Sequence, residues 1–138
     1  MRVVGPVVLF FAVVQVWDCF AHRHLHPVPN LETYLYQLTM PGIAEELFLR
    51  GTLLGLLSRM FPRTIPLLGT RSGWGGIAGI VLFILGHGLK FPSNPLTLLP
   101  QTHFSAGLVF DTFLFGVLYL WVRERTGSCW VAMVTHNL

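Results

Sequence analysis

The stretch Pro41-Gly42-Ile43-Ala44-Glu45-Glu46-Leu47-Phe48-Leu49-Arg50-Gly51 places two carboxylates and a guanidinium inside a run that is otherwise apolar. The surrounding segment, Leu31 to Phe61, is long enough to lie in a bilayer. Charge at that depth is costly and marks function by default. On a helix Glu46 and Arg50 are four residues apart and share a face, where they can pair. Glu45 is turned about 100° away by the 3.6-residue period. The spacing therefore predicts one carboxylate held by its neighbour and one left over for chemistry. The competing reading of the same three residues is a structural ion network that locks one helix against its neighbours.

The rest of the chain sets the class. Of 138 residues, 53% are hydrophobic and only 11% charged, and the mean hydropathy is +0.63. A soluble domain carries about a quarter charged residues, so the composition is that of an integral membrane protein, and the length allows one domain. The formal charge of +3 does not point to nucleic acid, because the basic residues lie at the ends of apolar runs. Cys19 and Cys129 form no C-x-x-C and read as small apolar residues. No glycine-rich phosphate loop, heptad or internal repeat is present.

Five apolar segments predict an all-α, polytopic transmembrane helix bundle of about four full spans plus a truncated fifth. The first, Val3 to Phe20, reads as an uncleaved transmembrane helix rather than a signal peptide, since no A-x-A-like site follows it. The connection Ala21 to Asn30 holds His22, His24 and His26, which alternate and share no helical face, so it reads as an exposed loop rather than a metal site. Residues 1–30 thus form an N-terminal helix and polar loop, and 31–138 the domain that carries the chemistry. Within it, Leu31 to Phe61 is too long for a simple span, and Pro41-Gly42 predicts a break or kink. Trp74 to Leu89 and Phe104 to Val122 follow. The last segment, Ser128 to Leu138, is about half of the ~20 residues a span needs, so the domain is expected to be incomplete at its C-terminus.

Basic residues give an orientation. Arg2, Arg59, Arg63, Arg71, Arg123 and Arg125 fall on one side, Arg23 and Lys90 on the other, which predicts a cytoplasmic N-terminus by the positive-inside rule. Trp17, Trp74, Trp121 and Trp130 lie near segment ends, where interfacial rings are expected. Gly51/Gly55 and Gly75/Gly79 are G-x-x-x-G pairs that allow close helix approach. Asp111, in the fourth segment, either lines the interior or begins the helical part.

Depth links the polar residues. At 1.5 Å per residue from the same side, Glu45 lies about 21 Å deep, His87 about 20 Å and His136 roughly 14 Å. A lone histidine on an apolar helix is usually a satisfied core residue. Two of them at the level of a buried acid pair suggest a site. Desolvation moves a carboxyl toward the range in which a general base works at neutral pH, and the spacing assigns that part to Glu45.

Three motifs now stand in order: Glu45-Glu46-Leu47-Phe48-Leu49-Arg50 as E-E-x-x-x-R, Phe83 to His87 as F-x-x-x-H, and His136. With Gly116-Val117-Leu118-Tyr119-Leu120 and Arg125-Thr126-Gly127-Ser128-Cys129-Trp130, they resemble the CPBP family of intramembrane proteases, the CAAX-protease and bacteriocin-processing (Abi) family, over about residues 31–138. The resemblance implies a glutamic-type endopeptidase, with type II CAAX prenyl endopeptidases among its members. Glu45 and His87 would activate the attacking water, His136 would stabilise the oxyanion, and Glu46, Arg50 and Phe83 would support them. The family's third motif adds an Asn four residues after the His, which falls at position 140, past Leu138. Asn137 does not inherit that role.

Prenylated CAAX proteins and leader peptides are the substrates the resemblance implies, with membrane lipid as the surroundings and no nucleic-acid partner. It leans to a metal-free mechanism. The alternative is zinc on Glu45, His87 and His136, a two-His-one-carboxylate set of the kind that leaves a fourth place for water. A different class also fits the sequence: a non-catalytic immunity or scaffold protein that keeps the helices with an incomplete site.

Overall fold

The computed structural model describes residues 3–22, 30–91 and 100–137. His24, His26, Arg2, Arg23 and Leu138, which figured in the sequence reading, lie outside them. The described chain is mostly helical, in the order α1 (Val4–His22), α2 (Leu31–Glu46), a π turn (Leu47–Leu53), α3 (Leu54–Met60), α4 (Trp74–Gly88), α5 (Ala106–Thr126) and α6 (Cys129–Asn137). Two short hairpins intervene, β1 (Ile65–Leu67) with β2 (Thr70–Ser72), and β3 (Leu89–Lys90) with β4 (Gln101–Thr102).

The long second segment is one helical course from residue 31 to residue 60 whose irregularity is not where proline predicts it. Asn30 starts it as an N-cap, its side chain accepting from Thr33 N–H at 2.8 Å, which satisfies one of the amides that a helix start leaves unpaired. The helix then runs through Pro41 without ending. The change of winding falls instead just after the glutamate pair, where Leu54 N–H donates to Leu49 O, five residues back. Such π turns are rare and occur often at functional sites.

After Phe61, β1 and β2 pair Ile65 with Ser72 and Leu67 with Thr70. Leu68 (φ 42°) and Gly69 (φ 81°) form the two-residue turn, whose positive φ values match the right-handed twist of a hairpin. The hairpin is fastened to the C-terminal end of α5. Trp121 Nε1–H donates to Leu68 O at 3.0 Å, Arg125 to Gly69 O at 2.6 Å, and Ser72 Oγ–H to Glu124 Oε1 at 3.0 Å. Trp121, expected as an interfacial ring, is therefore buried, whereas Trp17, Trp74 and Trp130 are exposed. An indole gains both area and a hydrogen bond when its N–H finds a buried carbonyl.

The core lies where α4, α5, α6 and the π turn meet, around Leu49, Phe83, Leu118, Tyr119, Val122 and Ala132. α1 covers one side of it with Val4, Val7, Val8 and Phe11, the last set edge-on to Phe115. Close approach relies on glycines the G-x-x-x-G reading did not single out. A Cβ at Gly76 would meet Leu120 at 2.8 Å, and Gly116 faces Phe83 and Ile80. Of the expected pairs, Gly75 lies tight on Leu57 while Gly79 and Gly55 have open space. Among the described residues one helix, Ala106–Thr126, is long and apolar enough by itself to cross a membrane; Val4–Val14 and Trp74–Gly88 are shorter apolar stretches. Large apolar side chains remain exposed along α1, α2 and α5, among them Leu9, Leu35 and Phe110.

Candidate active site

Glu46 and Arg50 form the pair their spacing predicts, Arg50 Nη1 donating to Glu46 Oε1 at 2.9 Å. Both are out of solvent, Glu46 at 0% and Arg50 at 2% exposure. A buried ion pair is tolerable only when further hydrogen bonds satisfy its remaining donors and acceptors. Arg50 Nη2 reaches Gly116 O at 3.3 Å, and the guanidinium lies over the rings of Phe83 (4.8 Å) and Tyr119 (5.7 Å). Ring faces carry partial negative charge, so this contact adds a cation–π attraction. Glu46 Oε2 is buried with no partner among the described residues.

Glu46 has a second partner that the spacing did not single out. His136 Nδ1 lies 3.0 Å from Glu46 Oε1, so its imidazole bonds the carboxylate that Arg50 already holds rather than Glu45. A carboxylate only accepts, so His136 carries its proton on Nδ1 and keeps Nε2 for other work. Tyr119 stacks on the His136 ring at 4.5 Å and 13°, fixing its plane. Tyr119 belongs to the Gly116–Leu120 phrase, yet nothing in the sequence assigned it this part.

His87 is oriented by its own helix. Its Nδ1 lies 2.9 Å from Phe83 O, and a carbonyl can only accept, so Nε2 is again left free. Phe83 is the hub of the arrangement, its ring 4.5 Å from His87 and 5.9 Å from His136. The F-x-x-x-H spacing thus sets aromatic and imidazole on one helical face, and the same aromatic meets both histidines and Arg50.

Glu45 is half-buried on the neighbouring face of α2. It lines a cavity of about 630 Å³ together with His87, Lys90, His136, Asn137 and Pro41. A second cavity of about 740 Å³ shares Glu45, His87 and Lys90 and is otherwise walled by apolar side chains such as Phe48, Leu82, Leu85 and Phe91. The three residues singled out for chemistry thus face one space, with an apolar annex beside it. Asp111 is exposed on α5 and lines neither cavity.

A zinc ion on Glu45, His87 and His136 needs three donors converging on one point. Among the described residues no group of three or more His, Cys, Asp or Glu side chains does so.

Asn137 lines this space, but its amide is engaged by α2. Its Oδ1 accepts from Gly42 N–H at 2.8 Å and its Nδ2 donates to Thr39 O at 3.0 Å. Cys129, at the other end of α6, donates its thiol to Glu46 O at 3.3 Å.

The site thus sets carboxylates, a guanidinium and two imidazoles in an apolar core, beside an apolar cavity. The chain belongs to the type II CAAX prenyl endopeptidase Rce1-like family, whose family model matches residues 27–138. No curated protein and no solved structure matches it.

Proposed function

We propose that this protein is an intramembrane endopeptidase that hydrolyses a peptide bond near the end of a prenylated CAAX substrate, using water activated by Glu45 and His87. The observation that carries the reading is the single cavity shared by Glu45, His87 and His136. A water held between the Glu45 carboxylate and His87 Nε2 gives its proton to Glu45 as its oxygen bonds the scissile carbonyl carbon. His136, in its imidazolium form with Nδ1–H on Glu46, offers Nε2–H to the oxyanion, a kind of donor worth about 10²–10³ in rate. Glu45 then passes the proton to the departing amine as the C–N bond breaks. Glu46, Arg50 and Phe83 hold these groups in place.

The apolar cavity beside Glu45 accepts aliphatic side chains or an isoprenoid, and Lys90, lining both cavities, sets a cation where a chain-terminal carboxylate would lie. The bundle spans the bilayer with the helices of the four longer apolar segments, its N-terminus cytoplasmic and the arginines of the β1–β2 connection and the α5 end on that same side. The chemistry needs no metal.

The test is cleavage of a prenylated peptide by the protein in detergent or liposomes. Glu45→Gln is expected to lower turnover by at least about 10²-fold, the range of a lost general base, with the unfolding temperature unchanged. Turnover is expected to survive thorough chelation. Equal turnover in Glu45→Gln ends the assignment of Glu45, and loss on chelation with recovery on added zinc ends the metal-free mechanism.

A further inference from the structure

We infer that Asn137 is a positioning residue whose carboxamide braces α2 across Pro41, and that this docking holds His136 on Glu46. Proline has no N–H, and its ring pushes away the carbonyl four residues back, so a helix that continues through it loosens over that turn. In apolar surroundings the backbone groups so released must find other partners. Here one side chain bonds a backbone group on each side of the proline. Gly42 N–H and Thr39 O, on either side of Pro41, bond to Oδ1 and Nδ2 of Asn137 at 2.8 and 3.0 Å. Only an amide carries a strong acceptor and a strong donor side by side. An aspartate, which only accepts, would offer Thr39 O no donor.

Space has been made for the amide. A Cβ at Gly42 would lie 2.5 Å from Asn137 Oδ1, so any larger residue there would push the amide aside. Gly42 leaves room beside Pro41, and Asn137 occupies it. These three residues come from stretches 95 positions apart in the chain. The contact fixes the last turn of α6 in height and rotation against α2. His136 is the residue immediately before Asn137, and its bond to Glu46 Oε1 is made to that same helix. The helix defect and the histidine are thus coupled through one residue.

The coupling can be separated from simple stabilisation by a cycle in the full-length chain in detergent micelles: the parent protein, Asn137→Ala, Pro41→Ala and the double variant. Two quantities are read, the unfolding temperature and the ¹⁵N/¹H NMR signal of the His136 Nδ1–H bonded to Glu46. Asn137→Ala is expected to lower the unfolding temperature and to erase the signal. In the double variant α2 closes as an ordinary helix, so the unfolding temperature recovers while the signal stays lost. Turnover of the prenylated peptide falls roughly 10- to 100-fold in both variants lacking Asn137, as expected for a displaced catalytic group, with KM within about twofold.

A signal that persists in Asn137→Ala overturns the inference, as does a double variant that regains signal and stability together, since Asn137 would then only patch the helix. If Asn137→Ala does not fold, the double variant carries the test alone. The kinetic arm rests on the protease reading and the spectroscopic arm does not. A signal lost as expected in a protein that cleaves nothing therefore sinks the protease and leaves the positioning role standing.

Discussion

Glu46 and Glu124 are both buried and both face an arginine, but their surroundings differ. Glu46 is fully enclosed, and so is its partner Arg50. Their remaining contacts are an imidazole, a backbone carbonyl and two aromatic faces. Glu124, on the last turn of α5, accepts from Ser72 and lies 3.2 Å from Arg63, whose side chain is 49% exposed. The first pair is closed on all sides, and the second has a guanidinium that reaches water. In a closed pair, removing either partner strands a charge. In an open pair, water takes the vacated place. One pair therefore organises the core, and the other fastens a hairpin.

That contrast orders the expected effects. Arg50→Ala should be the most damaging, costing about 3–5 kcal/mol, because it leaves Glu46 charged, dry and without its cation; the check is the unfolding midpoint in detergent. Recovery of stability in Arg50→Ala/Glu46→Gln would sharpen the comparison, since the double change removes the stranded charge. Ser72→Ala should cost about 1–3 kcal/mol, the range for a buried carboxylate oxygen deprived of one donor, read in the same way. Arg63→Ala should cost under about 1 kcal/mol, as for exposed pairs, and its effect should shrink further in high salt. An Arg63→Ala loss as large as that of Arg50→Ala would break the distinction between closed and open pairs.

The helices were legible because apolar runs of this length admit little else, and the observed α4, α5 and α6 start within two residues of the apolar segments read from the sequence. The Glu46–Arg50 contact was legible for a similarly local reason, since four residues of helix fix it. What failed to show was non-local or silent in composition. The π turn uses ordinary residues, Leu47 to Leu53, and leaves no signature. The β1–β2 hairpin turns on Leu68-Gly69 rather than Asn-Gly, within a connection of prolines and arginines that reads as loop. Trp121 was misplaced because position near a segment end does not say whether a carbonyl waits for its N–H. The bond of His136 to Glu46 rather than Glu45 depends on how α6 rotates against α2, which segment spacing does not determine. Proline was read as a break or kink, whereas α2 runs through it, and the contact of Asn137 with Gly42 spans 95 residues of sequence.

The π turn also has a bearing on how substitutions in this region should be interpreted. Winding with one more residue than an α turn shifts the angular phase of everything after it by about 100°. A helical wheel drawn from Leu31 is therefore out of step by Leu54, and the two halves of the course answer to separate frames. Deleting one residue between Gly51 and Leu53 would restore uniform winding and keep Leu54 and Leu57 facing α4, whereas deleting one from the regular helix on either side would turn the two halves about 100° apart. A residue lost from the π turn should therefore do less harm than one lost a turn away.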